Sequence, residues 1–145
     1  MVVGVTGIQG HTLASQLNKH GWNVTGLARR KNIDLPGVTG VSVDLTARDA
    51  VQAALHGTHP THIFFNCWSR QATEAENCVV NGAILRNLLE AVEDGPQLQH
   101  VALVTGLKHY MGPFEAYALN NPDTPFREEQ ERLPYENFYY TQEDI

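Results

Sequence analysis

Gly4, Gly7 and Gly10 stand at a G-x-x-G-x-x-G spacing directly after the β-branched pair Val2-Val3, and His11-Thr12-Leu13-Ala14-Ser15-Gln16-Leu17 follows with a helical pattern. The chemistry this spacing suits is the binding of a dinucleotide through its pyrophosphate. The first glycine permits a tight turn. The second lets the backbone approach the phosphates, and the third lets the helix pack closely on the strand. Unpaired N–H groups and the positive dipole end of that helix then face the anion. Thr6, Ile8 and Gln9 lie in the same turn and count with the glycines as expected ligand contacts. A glycine turn without a ligand is the competing reading; a strand before it and a helix after it weigh against that.

A second constellation follows the next strand. Gly21 stops the first helix, and Trp22-Asn23-Val24-Thr25-Gly26-Leu27-Ala28 reads as strand two. An acidic residue at its end would select NAD through the ribose 2′-hydroxyl. Here Arg29, Arg30 and Lys31 stand instead. Guanidinium groups suit a 2′-phosphate, so NADPH is expected over NADH. A solvated basic turn is the alternative. Val41-Ser42-Val43-Asp44 reads as strand three, and Asp44 either accepts from the adenine amine or caps a helix over 47–55.

These turns have to be positioned by alternating elements. His62-Ile63-Phe64-Phe65-Asn66-Cys67 is a near-continuous apolar run of the kind that forms a buried parallel strand. Trp68 follows at its carboxyl end, where it would either wall a pocket or cover the core edge. A long helix is expected over 73–92, with Ala75, Cys78, Val79, Leu85, Leu88, Leu89 and Val92 as its apolar stripe, and Asn81 and Asn87 facing solvent. After a turn at Gly95-Pro96, residues 99–106 form strand five. The alternation predicts an α/β protein: a doubly wound parallel sheet of order 3-2-1-4-5, Rossmann-type, in three α/β/α layers. His56, His59 and His62 invite a zinc reading, but Gly57 and Pro60 make this a helix-exit loop, and the loop reading is preferred.

At 145 residues and net charge −6 the chain fits one domain, with no basic patch for nucleic acid and no apolar run of membrane-spanning length. Cys67 and Cys78 read as packed, reduced thiols, which suits a cytoplasmic protein. Beyond Leu107 the period is lost. Residues 115–134 read as a long loop, and Asn137 caps a final helix.

The motifs Gly4-Val5-Thr6-Gly7-Ile8-x-Gly10, Ala28-Arg29-Arg30, Glu74-x-Glu76-Asn77-Cys78, Thr105-Gly106-x-Lys108-His109-Tyr110-Met111-Gly112-Pro113-Phe114 and Asn137-Phe138-Tyr139-Tyr140-x-x-Glu143-Asp144 resemble those of the progesterone 5β-reductase / iridoid synthase-like group. These are atypical extended short-chain dehydrogenases/reductases, and the resemblance covers essentially the whole chain. It implies an NADPH-dependent reductase of activated C=C bonds in enones, with Lys108 and Tyr139 as the catalytic pair and Tyr140 as the alternative tyrosine. The superfamily's usual Tyr-x-x-x-Lys would put a lysine at 143; Glu143 stands there, and this group does not keep that lysine. Taken alone, Lys108 is a surface lysine and Tyr139 part of a packed aromatic face.

The chemistry asks for such residues. Hydride addition to the β-carbon of an enone develops charge on the carbonyl oxygen, which needs a waiting donor. A tyrosine hydroxyl supplies one, and a neighbouring ammonium would pull the tyrosine pKa down. The expected cofactor set is Gly4, Thr6, Gly7, Ile8, Gln9, Gly10, Arg29, Arg30, Asp44, Leu45, Trp68 and Thr105, with Tyr110 and Phe114 against the substrate. A member of this group would continue beyond Ile145 into a second sheet half and a substrate-binding region, so residues 1–145 correspond to an NADP-binding domain, with 107–145 carrying the catalytic motifs. Apolar surface left uncovered would favour a homodimer. A catalytically silent NADP(H)-binding module, or a half-domain acting by interaction, are the competing functions.

Overall fold

The computed structural model describes residues 1–92, 97–113, 116–117, 122 and 124–145. The Gly95-Pro96 turn and Phe114 lie outside these. Among the described residues the strands are β1 (Val2–Val3), β2 (Val24–Ala28), β3 (Val38–Ser42), β4 (His62–Phe65) and β5 (His100–Leu103). They pair in parallel, in the order β3-β2-β1-β4-β5. The helices are α1 (Ile8–Lys19), α2 (Arg48–Leu55), α3 (Glu74–Val92), α4 (Lys108–Met111) and α5 (Phe138–Glu143). Right-handed connections place α1, which leads outward to β2, on one face and α2, which returns the chain to β4, on the other. This is the expected doubly wound arrangement.

The chain divides into two compact units, Met1–Trp68 with Ile84–Val104, and Ser69–Ala83 with Thr105–Ile145. The first holds the sheet. Its central strand is only two residues long, because Gly4 at φ 79° turns the chain at once. Val2 lies opposite Gly26 and Phe64, and Val3 opposite Leu27 and Phe65. Val2, Val5, Ala14, Val24 and Leu35 form a buried cluster joined by Leu13 and Leu17 of α1. That helix ends in a Schellman motif: Trp22 N donates to Leu17 O (3.1 Å) and Gly21 N to Asn18 O (3.0 Å), with Gly21 at φ 82°. Gly21 therefore stops the helix as its position predicts.

In the second unit, Thr73 and Glu76 form a capping box at the start of α3. Glu76 N donates to Thr73 Oγ1 (3.2 Å) and Thr73 N to Glu76 Oε2 (3.1 Å). The Asn137 side chain accepts from Tyr139 N at 3.1 Å and starts α5, as expected.

Several boundaries differ from the sequence reading: β2 begins at Val24, not Trp22, and β5 covers His100–Leu103, not 99–106. Helix α1 begins at Ile8, not His11, so Gly10 sits in its first turn. Strand β3 begins at Val38, which leaves Asp44 two residues past its end. Residue Ala47 caps α2, without a side-chain bond; Asp44 instead accepts from Thr46 N (3.0 Å) and Thr46 Oγ1 (2.8 Å), so the helix-cap alternative for Asp44 does not hold.

The stripe on α3 also needs correction. Val79 is 72% exposed, whereas Asn81 and Asn87 are buried. The buried residues of α3 include Asn77, Asn81, Ile84, Leu85, Asn87, Leu88 and Val92. Buried amides require partners, and these have them. In the second unit, Asn81 Oδ1 accepts from Ser69 N (2.7 Å) while its Nδ2 donates to Ser69 O and Asn77 O (both 2.9 Å). In the first, Asn87 Nδ2 donates to Leu45 O at 2.8 Å.

Candidate functional site

The glycine turn of the first unit is built by backbone. Gly4 N and Val5 N both donate to Leu27 O (2.9 and 3.1 Å), and Gly7 N donates to Gly4 O at 2.9 Å. A Cβ on Gly10 would lie 2.3 Å from Gly4 O, so the helix can approach the strand only because residue 10 has no side chain. The residue capping α1 is Gly7, which offers no side-chain bond, and no carboxylate occupies the first helical turn. Thr6, Gly7, Ile8 and Gln9 are exposed, Ile8 to 90%. An uncapped helix start with its donors open to solvent is a site suited to an anion.

Arg29 and Arg30 follow β2 and are exposed; among the described residues neither guanidinium forms an ion pair. The charge of Arg29 reaches both Asp44 and Cys67. Hydrogen bonds from Thr46 N and then Oγ1 hold the Asp44 carboxyl below its usual range, and Arg29 adds to this. Burial pushes the Cys67 thiol up to about 11, with Arg29 opposing. Leu45 is packed in the core, and its carbonyl is taken by Asn87. Trp68, after β4, is half exposed.

The second unit is built by side chains. Lys108 Nζ binds Glu74 Oε2, both side chains being about 12% exposed, and stands 4.7 Å from the Phe138 ring centre. The same carboxylate accepts from Asn77 Nδ2 (3.1 Å) and, through Oε1, from Phe138 N (2.9 Å). Asn137 Nδ2 donates to Lys108 O at 2.9 Å, while its Oδ1 takes Tyr139 N. Lys108 and the start of the helix bearing Tyr139 are thus tied by both a carboxylate and an amide.

The two tyrosines differ sharply. Tyr140 is buried, donates its hydroxyl to His109 O and accepts from Leu133 N at 3.1 Å. The Tyr139 hydroxyl makes no hydrogen bond among the described residues and approaches Gly106, 3.3 Å from where a Cβ would stand. Burial, then the neighbouring Tyr117 and Glu74, raise the Tyr139 pKa. This overturns the expectation that Lys108 would lower it: the ammonium is offset by Glu74, and desolvation prevails. Glu143, where a superfamily lysine would stand, pairs with His109 (3.2 Å) and Arg132 (3.0 Å). Thr105, Gly106, Leu107, His109, Tyr110, Glu128 and Glu143 line an open depression of about 450 Å³.

Glu74, Asn77 and Asn81 are the polar residues that sequence reasoning missed as parts of this network. A carboxylate opening a helix reads as a surface charge; only its spatial partners reveal it. Asparagines recurring on the apolar face at i, i+4 were the available signal.

Residues 1–142 match the NAD dependent epimerase/dehydratase family, and the chain belongs to it. Within that family the chain is 44% identical over 156 residues to (S)-8-oxocitronellyl enol synthase from Nepeta racemosa. It is 41% identical over 156 residues to 3-oxo-Delta(4,5)-steroid 5-beta-reductase from Arabidopsis thaliana. Each alignment covers 100% of this chain and 40% of the relative, so the chain spans less than half the length of the curated relatives it matches. The resemblance read from the motifs is therefore borne out.

Solved structures agree on the fold. The Bordetella bronchiseptica enzyme WbmH in complex with NAD+ matches at TM-score 0.70 with 18% identity, covering 98% of this chain and 48% of its own. WbmG from the same organism, in complex with NAD and UDP, matches at 0.72 with 13% identity, covering 97% and 45%.

Proposed function

We propose that the chain carries the cofactor-binding and catalytic-motif part of an NADPH-dependent reductase acting on the C=C bond of an enone. The observation that carries the catalytic assignment is the contrast between the two tyrosines: among the described residues the Tyr139 hydroxyl makes no hydrogen bond, whereas that of Tyr140 is spent on His109 and Leu133. The uncapped glycine turn, and Arg29 and Arg30 without an ion pair among the described residues, fit a dinucleotide with a 2′-phosphate. Two relatives, an enol synthase and a steroid 5-beta-reductase, support this reading.

NADPH, when bound, would supply the hydride for the β-carbon. The C=C electron pair moves toward the carbonyl, whose oxygen becomes enolate. The Tyr139 hydroxyl would donate a hydrogen bond to that oxygen, with Lys108 standing over the neighbouring Phe138 ring. A proton taken up from water at the α-carbon would complete the saturated ketone. With its pKa raised by burial, the Tyr139 hydroxyl is a hydrogen-bond donor at neutral pH.

The test uses NADPH carrying deuterium at C4 and a simple cyclic enone, with product analysed for deuterium at the β-carbon. Tyr139→Phe should lower turnover by about a hundred- to a thousandfold, the usual cost of one oxyanion donor, and leave NADPH affinity unchanged. Unchanged turnover would remove Tyr139 from the mechanism. A second reading, an NADP(H)-binding module without turnover, is favoured by the hold of Glu74 on Lys108; NADPH binding with no deuterium transfer would select it. The proposal places the protein in a reduced, cytoplasmic setting, which the free Cys67 and Cys78 suit. It includes self-association as a homodimer, which light scattering would test.

A further inference from the structure

Glu74 is the point on which the second unit converges, and the reaction assigned above gives it no role. Its carboxylate receives Lys108 Nζ from α4, Asn77 Nδ2 from within α3 and the backbone N–H of Phe138 at the start of α5. A carboxylate this secluded is retained only when its oxygens are engaged, and here both are. As the first residue of α3 it also lies at the favourable end of that helix's dipole. The side chain does more than neutralise a lysine. Oε2 fixes the ammonium, and Oε1 fixes the amide next to Tyr139.

We propose that Glu74 is a positioning residue for enone reduction: its one carboxylate seats the Lys108 ammonium and the first turn of the Tyr139 helix on a common anchor, and offsets the lysine's charge so that Tyr139 works beside a neutral pair. This rests on the assignment of Lys108 and Tyr139. Two contacts reinforce it. Lys108 Nζ lies over the Phe138 ring, whose centre is 4.5 Å from that of Tyr139, and Asn137 bridges Lys108 O and Tyr139 N. Glu74, Glu136 and Lys108 all act on the Cys78 thiol, and Tyr117 acts on Tyr139; these are ionisable groups around the anchor among the described residues.

The consequence is electrostatic as well as geometric. With the pair intact, Tyr139 stays a phenol, able to donate to an enolate oxygen. Neutralising Glu74 leaves a bare ammonium, which favours the phenolate. Removing Lys108 leaves a bare carboxylate, which disfavours it.

The 145-residue chain with tyrosines labelled at Cζ is titrated by carbon NMR, the Tyr139 signal being assigned with Tyr139→Phe. Glu74→Gln keeps an acceptor for Phe138 N and loses the charge; it should lower the Tyr139 midpoint by about one pH unit. Lys108→Met should raise it, and the double variant should return it toward the starting value. Single-variant midpoints that stay put, or move in the same direction, would overturn the proposal. A purely structural anchor predicts no such opposition of sign. Should Glu74→Gln not fold, Lys108→Met decides alone, with no upward shift counting against the idea. The titration needs neither cofactor nor enone, so its failure is separate from a failure of the enone-reductase reading. Where turnover is measurable, Glu74→Gln should lower kcat about tenfold or more with NADPH affinity unchanged, and unchanged kcat would overturn the positioning role.

Discussion

The glycine turn of the first unit and the Lys108–Tyr139 network of the second hold their chemistry in opposite ways. Around Gly4, Gly7 and Gly10 the work is done by main-chain groups and by the absence of side chains; the charges nearby, Arg29 and Arg30, have no partner among the described residues. Around Lys108 nearly every polar group is committed: Glu74, Asn77, Asn137 and Tyr140 all carry bonds, and Tyr139 is the exception. The first arrangement is suited to an anion that would supply the missing half of its electrostatics. The second has its lysine paired within the network, and among the described residues the Tyr139 hydroxyl is left without a bond. Substitutions should therefore act on packing and ligand in one region, and on network integrity in the other.

Gly10 gives the largest effect. A methyl there would meet Gly4 O at 2.3 Å, Gly4 C at 2.8 Å and Val5 Cα at 3.0 Å, all of them main-chain atoms that cannot swing aside. Gly10→Ala should cost about 3 kcal/mol or more in denaturant unfolding, at the upper end for overpacking. Gly7 is the control. Its φ of −82° suits alanine, and the nearest atom to a new Cβ is Gly4 O at 3.3 Å. Gly7→Ala should cost only about 0.5–1 kcal/mol, yet weaken NADPH binding by about tenfold, because the added methyl keeps the backbone from the phosphates. Equal stability losses at the two positions would erase the distinction between packing and ligand glycines.

In the second unit Asn81 tests network integrity. Asn81→Ala strands Ser69 N and Ser69 O and enlarges the space beside Gln142, whose Nε2 donates to Asn81 O at 3.2 Å. The expected loss is about 2–3 kcal/mol, the cost of buried groups left unmatched. A neutral effect in thermal unfolding would mean that water replaces the amide there.

Features governed by neighbours in sequence were legible; those governed by distant partners were not. The glycine turn, the stop at Gly21 and the Asn137 cap each follow from a spacing of a few residues. The strand order follows from alternation and the handedness of connections. The stripe on α3 misled because apolarity alone was counted: Val79 points outward, and Asn81 and Asn87 point in, toward Ser69 and toward Leu45, 12 and 42 residues away. The direction of the Tyr139 shift failed for the same reason. A lysine near a tyrosine lowers its pKa only if nothing else claims the ammonium, and Glu74, 34 residues upstream of Lys108, claims it. Burial and pairing are properties of the fold, and periodicity reports neither.

Arg29 and Arg30 test the opposite condition, charge without a partner. Replacing both with alanine should leave stability within about 0.5 kcal/mol, since they pack against little. The same change should reduce the preference for NADPH over NADH by about ten- to a hundredfold, as expected for losing charge-assisted hydrogen bonds to a 2′-phosphate. Isothermal titration with the two cofactors reads this directly. Preference retained in the double variant would assign the phosphate elsewhere.

The smallest effect separates the two regions by pH. Cys67 lies in the first unit, where burial outweighs Arg29 and lifts the thiol from 9.0 to about 11. The folded chain keeps a proton there that the unfolded chain has already released. Stability from this group is therefore complete below pH 9 and declines as pH rises from 9 toward 11. Unfolding at pH 8 and pH 10 should differ by on the order of 1 kcal/mol more in the parent chain than in Cys67→Ser. Tyr139 adds the same sign at higher pH, because its pKa is also raised, so Cys67→Ser should remove the slope that begins near 9 and leave the later one. Identical slopes in the two proteins would mean that Arg29 stabilises the thiolate enough to cancel the burial. The free cation of the first region would then already be compensated from within, as Lys108 is in the second.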